Sequence, residues 1–398
     1  MINSRWLIVD GPQQSVDGKR VDCPPTLVII KKSQDYSLYY KLSTIDYGLS
    51  TINFLLPLLL LNFNRMHHSK IVGLGHHVPE TVITNEYLST IMDTNNEWIV
   101  ERTGIHERRW IDPAKDTVAN MAAKASRMAL ERAKLAEKDI DFIVFATITP
   151  DYFFPGSGVL LQRELGLDGR IGALDIRNAC SGFIYALSVA DQFIKTGMYK
   201  TILVVGAEIQ STAIDATTRG RNTAVIFADG AGAVILQPTD KPGILSTHLH
   251  SDGNFAEELY VKDPGSSRPR EERQPDQIWD TSTYKVVMNG NQVFKHAVVR
   301  FMEVIGEALA ANKLKTEDIN LLVPHQANLR ISQYIQEKLA LTDAQVYNNI
   351  MRYGNTTAAS IPIALSEAWA EGKIKENDLI CLAAFGSGFT WASALIRW

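Results

Sequence analysis

Cysteine is scarce in this chain of 398 residues, occurring only as Cys23, Cys180 and Cys381. The three make no Cys-x-x-Cys pair and no Cys/His ligand spacing, so neither a disulfide framework nor a zinc site is expected. A reducing, cytoplasmic compartment fits such usage. Excess charge is also missing, because 40 Lys and Arg against 44 Asp and Glu leave a net charge of -4. That balance gives no reason to expect a nucleic-acid partner. A membrane-spanning run is lacking as well. The strongest apolar stretch, from Ile52 to Leu61, is broken by Pro57 and too short to cross a bilayer. It lies too far from the N-terminus for a standard export signal.

Residues 1–65 lack clear periodicity, and we read them as a leader outside the working protein, with Met66 as the true start. A membrane-anchoring segment is the alternative. His67-His68, His76-His77 and His248-x-His250 bring no third ligand at a recognisable spacing, so no metal is assigned. The glycine-rich run from Asp229 to Ala233 lacks the Lys-Ser/Thr of a phosphate loop and reads as a tight strand connection.

What is present is a repeat. Residues 128–146 align without a gap to residues 307–325, with identities at Ala129/Ala308, Leu130/Leu309, Lys134/Lys313, Leu135/Leu314, Asp139/Asp318, Ile140/Ile319 and Val144/Val323. Shifting the offset by one residue extends the match, bringing Ala186-Leu187-Ser188 and Ala190 onto Ala364-Leu365-Ser366 and Ala368. The chain therefore divides into a half from 66 to 238 and a half from 239 to 398. In the first half, helices are expected over 118–132 and 183–196, and strands over 142–147, 172–176 and 202–206, followed by a stretch over 223–236 that ends in the β-like run Val234-Ile235-Leu236. Strands such as Ile202-Leu203-Val204-Val205 are apolar on both faces, which indicates sheets covered on both sides by helices.

Cys180 stands between an apolar strand and an amphipathic helix, in Arg177-Asn178-Ala179-Cys180-Ser181-Gly182-Phe183. A thiol at a helix start meets the positive end of the macrodipole, so a lowered pKa and a nucleophilic role are expected. Cys381, inside the apolar run Leu379-Ile380-Cys381-Leu382, reads as a buried structural thiol. His325 closes the apolar strand Leu321–Pro324, and Asn355 precedes a helix expected over 358–371. A thiol from one half meeting His and Asn from the other would form an activated-nucleophile arrangement.

Asn178-Ala179-Cys180-Ser181-Gly182-Phe183, Pro324-His325-Gln326-Ala327-Asn328 and Gly354-Asn355-Thr356-Thr357-Ala358-Ala359-Ser360 together resemble the β-ketoacyl-acyl carrier protein synthase III family of the thiolase superfamily. So do Asn96-Glu97-Trp98-Ile99 with Arg102-Thr103-Gly104-Ile105, the run Phe227–Ala233, Gly290-Asn291 with Val293-Phe294-Lys295, and the run Phe385–Trp391. The resemblance spans residues 66 to 398. It implies a thiolase-like α/β fold, with two pseudo-repeated βαβαβαββ halves stacked as αβαβα layers, and a homodimer.

The implied activity is a decarboxylating Claisen condensation of a short acyl-CoA, acetyl-CoA above all, with malonyl-acyl carrier protein to start fatty-acid synthesis. A related acyltransferase or condensing enzyme of a secondary-metabolite pathway is the alternative. Cys180, His325 and Asn355 would be catalytic, with the backbone N–H groups of Cys180 and Ser387 as oxyanion hole; glycine is usual at the Ser387 position. Coenzyme A would contact Trp98, Arg102, Arg221, Gly290, Phe294 and Asn328, although Arg219 could replace Arg221. Phe154 would close the acyl pocket across the dimer and favour a short primer. Lys295, Arg330 and Lys338 would dock the acidic carrier protein. The resemblance implies no cofactor, since acyl-CoA enters as a substrate, and no membrane partner.

Overall fold

Two sheets of one topology account for the repeat. The computed structural model describes residues 67–262 and 285–398, and before them the strands Leu7–Ile8, Leu27–Lys32 and Asp35–Tyr40, which pair antiparallel in that order. Cys23, the apolar run from Ile52 to Leu61, Met66 and the polar stretch over 264–280 lie outside the described residues. No helix among the described residues is long and apolar enough to cross a membrane.

The first sheet contains β1 (His68–His77), β2 (Phe142–Ala146), β3 (Gly172–Ile176), β4 (Ile202–Glu208) and β5 (Gly230–Thr239), in the spatial order β1-β5-β4-β2-β3. The second contains β6 (Ile244–Ser251), β7 (Leu321–Pro324), β8 (Leu379–Gly386) and β9 (Thr390–Arg397), in the order β6-β9-β8-β7. The pairing directions match strand for strand: β5 is antiparallel to β1 and β4 as β9 is to β6 and β8, and β2 is parallel to β4 as β7 is to β8. A parallel bridge from Leu322 to Val346 stands where β3 pairs with β2 in the first sheet.

Among the helices that pack on these sheets or flank the pocket between them are α1 (Asn96–Thr103), α2 (Val118–Ala133), α3 (Gly182–Lys195), α4 (Gly290–Ala311), α5 (Leu329–Lys338) and α6 (Ser360–Ala370). Because side chains alternate along a strand, each central strand serves two cores. Ile143 and Phe145 of β2 join the cluster under α2, whereas Val144 and Ala146 face α3 and α6. In β8, Cys381 and Ala383 join α4 and α5, while Ile380 and Leu382 face the same α3/α6 layer. The layers are thus α2, first sheet, α3 with α6, second sheet, α4 with α5, as the sequence led us to expect.

The residues shared by the repeats perform the same local work twice. Asp139 Oδ2 accepts from Ala136 N at 2.9 Å, and Asp318 Oδ2 from Lys315 N at 2.7 Å, each closing the polar turn before a strand. Lys134 and Lys313 leave their helices through the left-handed region, at φ +57° and +56°. The glycine-rich run expected as a tight strand connection is instead part of β5, where Ala231–Ala233 pair with both β1 and β4. Arg221–Ala224 makes a helical turn, and β5 starts only at Gly230. The intervening residues are drawn to other partners: Ala228 N donates to Asn355 O and Asp229 N to Arg109 O, both at 3.0 Å.

Helix α2 lies directly on β1, and two glycines permit it. A Cβ at Gly73 would fall 2.2 Å from Ala129 O, and one at Gly75 would fall 2.1 Å from Ala125 O. Gly75→Val is expected to destabilise the protein by about 3 kcal/mol through overpacking. It would be measured as a lower urea midpoint at unchanged slope; an unshifted midpoint would refute this packing.

Candidate functional site

The chain leaves β3 and turns through the short 3-10 segment Ala179–Ser181 before entering α3. Ala179 is held at φ +45°, and its counterpart in the second half, Thr357, at φ +52°. Non-glycine residues in this region carry strain and need surrounding structure to hold them. Cys180 follows at the elbow and is 6% exposed. The lowered thiol pKa expected from the helix start is not found. Burial, and then the Glu208 carboxylate, push Cys180 up to about 12, and the pull of its own backbone N–H is smaller. Desolvation of the charged form outweighs the amide here.

The end of β8 closes onto this elbow. A Cβ on Gly386 would lie 2.7 Å from Cys180 Cβ and 3.2 Å from its Sγ. His325 follows β7 and donates its backbone N–H to Ala383 O at 2.8 Å, which registers it against the same strand. Its Nδ1 lies 2.6 Å from Ser360 Oγ, which also accepts from Gln326 N at 3.3 Å. Ser360 Oγ can accept from that amide and donate its own proton to Nδ1, an arrangement that leaves the ring hydrogen on Nε2. That Nε2 is buried and has no hydrogen-bond partner among the described residues. Burial holds the His325 pKa down to about 3, so the ring is neutral.

Gln326 fixes the neighbouring backbone. Its amide donates to Pro324 O at 2.7 Å and accepts from Asn349 N and Ile350 N at 3.0 and 3.1 Å. Asn355 is tied to the first half through Asn355 N to Ile226 O at 2.9 Å. Its Oδ1 accepts from Thr357 N at 2.8 Å, which leaves the Nδ2 hydrogens as its free donors. Cys180, His325 and Asn355 line one pocket of about 140 Å³, open to solvent at its mouth and walled mainly by apolar side chains.

Gly290, Phe294 and Asn328 line that same pocket. Trp98, Arg102 and Arg221 gather beside it: the Arg102 and Arg221 guanidinium carbons lie 4.5 and 5.1 Å from the Trp98 ring centroid. Asn328 Nδ2 donates to Arg102 O at 2.8 Å and joins this cluster to the pocket wall. Arg219 is engaged elsewhere, with its Nε 2.7 Å from Asp215 Oδ2. The other expected residues do not converge on the pocket of this chain. Phe154 is 81% exposed. Lys295 on α4, and Arg330 and Lys338 on α5, are exposed, with Lys338 Nζ 3.5 Å from Glu337.

Comparison with known proteins bears directly on this geometry. Residues 174–253 match the family model described as 3-oxoacyl-[acyl-carrier-protein] synthase III, and residues 309–398 match its C-terminal counterpart. The beta-ketoacyl-[acyl-carrier-protein] synthase III of Alkalilimnicola ehrlichii is 46% identical over 333 residues, covering 84% of this chain and 100% of the relative. The chain belongs to the β-ketoacyl-[acyl-carrier-protein] synthase III family. The family's fold is shared too. The crystal structure of 3-oxoacyl-[acyl-carrier-protein] synthase III from Aquifex aeolicus superposes with a TM-score of 0.76 at 42% identity, covering 83% of this chain and 100% of that one. The priming β-ketosynthase of the R1128 polyketide pathway gives 0.76 at 31% identity, covering 84% and 97%.

Within this synthase III chain, three residues belong to the sequence motifs yet carry no role that their chemistry alone suggests. Gly386 is needed for close approach to the thiol, Ser360 for the ring tautomer and Gln326 for the backbone beneath it. Their signal was motif membership alone, because none is titratable or nucleophilic in the sense that draws attention to a site. Ser387 directs its hydroxyl to Leu259 O, on the pocket wall. Gly386→Ala is expected to displace the Cys180 elbow and slow Cys180 acylation by acyl-CoA about 100-fold, the scale of an ångström-sized misplacement. Acylation at the native rate, read by intact-protein mass spectrometry, would contradict the contact.

Proposed function

We propose that this acyltransferase condenses a short acyl-CoA, acetyl-CoA above all, with malonyl-acyl carrier protein to start fatty-acid synthesis. The observation that carries the reading is the pairing, in one pocket, of a buried thiol from the first half with two neutral donors from the second. Cys180 attacks the acyl thioester carbon, the carbon–sulfur bond to coenzyme A breaks, and the thiol proton leaves with coenzyme A. Backbone N–H groups of Cys180 and Ser387 hold the tetrahedral oxyanion, each contributing about 3 kcal/mol.

Malonyl-carrier then loses carbon dioxide. The carbon–carbon electron pair becomes an enolate, whose oxygen receives hydrogen bonds from His325 Nε2–H and Asn355 Nδ2–H. Neutral donors suit this step, since they stabilise charge that develops only in the transition state. The enolate carbon attacks acyl-Cys180, the thiolate departs and regains a proton from solvent, and a 3-oxoacyl-carrier leaves. The bond changes are complete without a metal or redox cofactor.

The Trp98 cluster supports the adenine site. Its ring has Arg102 and Arg221 over it, Arg221 holding that place while donating to Asp93 O at 2.6 Å, whereas Arg219 turns to Asp215, and this favours Arg221 for the role. Gly290, Phe294 and Asn328 form the channel for the pantetheine arm. Lys295, Arg330 and Lys338 form the carrier-docking face, supported by their exposure near the pocket's α4 and α5 walls. A homodimer is supported by β3, which among the described residues pairs only with β2, and by exposed Phe153, Phe154 and Leu174 beside it. A second copy on that edge would cover them and bring Phe154 to its partner's acyl pocket. Free thiols at Cys180 and Cys381 suit the cytoplasm.

Purified protein given acetyl-CoA and malonyl-acyl carrier protein is expected to release carbon dioxide and form acetoacetyl-carrier, with both lost in Cys180→Ala. Acylated Cys180 without condensation would overturn the reading in favour of another acyltransferase. Ser360→Ala, which removes the proton fixing Nδ1, is expected to cut condensation roughly 10- to 100-fold, as loss of a supporting partner typically does. Cys180 acylation should be unaffected; an equal fall in both steps would contradict the tautomer argument.

A further inference from the structure

Helix α6 reaches both members of the donor pair. Its first residue, Ser360, holds the His325 ring through the 2.6 Å contact between Oγ and Nδ1. Glu367 stands seven residues on, two turns later and so on the same face of the helix, about 10 Å further along its axis. It is 8% exposed and does not line the pocket. Asn349 Nδ2 donates to its Oε2 at 2.8 Å, Arg352 Nη2 to the same oxygen at 3.1 Å, and Tyr353 Oη to Oε1 at 2.6 Å. All three donors come from residues 349–353, which carry the helical turn Ile350–Tyr353 and lead directly into Asn355.

Further bonds close a ring. Asn349 N and Ile350 N donate to Gln326 Oε1 at 3.0 and 3.1 Å, and Gln326 Nε2 reaches Tyr347 O at 3.3 Å. Gln326 is the neighbour of His325 in the chain. The path therefore runs from His325 through Gln326, the 349–353 turn and Glu367 into α6, and returns through Ser360 to the imidazole. Asn355 leaves this ring by Gly354, which turns the chain at φ +64°. A Cβ on Gly354 would fall 2.9 Å from Ile226 O, so the backbone is closely confined where the amide is presented.

We propose that Glu367 is a positioning residue for the decarboxylation step, fixing the Asn355 amide against His325 Nε2 by holding the 349–353 turn to the helix that orients the imidazole. The proposal rests on the enolate role assigned to those two side chains. The partners of Glu367 all lie in the second half, whereas Cys180 sits on the Ala179–Ser181 turn of the first. Loss of the carboxylate should therefore displace the donors and spare the nucleophile.

Two variants separate this role from general support of the fold. Glu367→Ala removes all three bonds; Tyr353→Phe removes one, keeps the ring, and serves if the first variant does not fold. Each is given acetyl-CoA and then malonyl-acyl carrier protein, with Cys180 acylation, carbon dioxide release and the Michaelis constant for malonyl-carrier measured together. Carbon dioxide release should slow about 100-fold in Glu367→Ala, the scale of an ångström-sized misplacement, and roughly 10-fold in Tyr353→Phe. Acylation and the Michaelis constant should stay close to native in both. The double variant should be no slower than Glu367→Ala, because the Tyr353 hydroxyl acts through the carboxylate.

Equal falls in acylation and release, a double variant slower by the product of the single effects, or native release in Tyr353→Phe would each overturn the proposal. Native protein that acylates Cys180 but releases no carbon dioxide would remove the proposed function instead. Amide hydrogen exchange then reads the tie without the chemistry. Faster exchange over 349–355 in Tyr353→Phe, with 179–195 unchanged, would leave the positioning of Asn355 standing, and unchanged exchange over 349–355 would overturn it.

Discussion

The contact on which the site depends is the near-collision of the two halves where Gly386 meets Cys180. The same closeness recurs at Gly206, whose added Cβ would lie 2.4 Å from Ala358 O. Only glycine lets a strand end of each half meet the turn that starts the other half's buried helix. From that seam follow the strained elbows at Ala179 and Thr357, the buried α3/α6 layer, and a pocket fed by both copies of the repeat. Duplication supplies the architecture, and divergence of the two turns supplies chemistry: one copy carries a thiol, while the other carries an amide and helps to orient an imidazole.

Electrostatically, the pocket is built from groups that are neutral at rest. His325 is kept uncharged by burial, and Cys180 is kept protonated by burial and by Glu208. Such a site holds little charge until substrate brings it, which keeps its fixed donors available for an oxyanion or enolate. The thiol's reluctance to ionise places the demand on acyl transfer itself, where the departing coenzyme A thiolate takes up a proton.

Much of this was legible in the sequence because the repeat identities have local duties. Asp139 and Asp318 close equivalent turns, and Lys134 and Lys313 leave equivalent helices, so the match survived where surrounding residues drifted. The α/β layering was visible in strands apolar on both faces. Cys180, His325 and Asn355 stood out by chemical type and by their places at strand ends and before helices. The state of the thiol was not visible: a helix start suggests activation, and nothing in the string announces that the elbow is buried beside a carboxylate. Glu208 itself reads as an ordinary polar strand end. Arg219 and Arg221 look alike in the string, whereas in the structure Arg219 bonds Asp215, and Arg221 bonds Asp93 and lies over Trp98.

The division of labour between the halves can be measured by giving Asn355→Ala radiolabelled acetyl-CoA and then malonyl-acyl carrier protein, with label on Cys180 and carbon dioxide release followed together. Acetyl-Cys180 should form at close to the native rate and persist while carbon dioxide release collapses. Loss of acylation in step with decarboxylation would contradict the assignment of the thiol to one step and the second half's donors to the other.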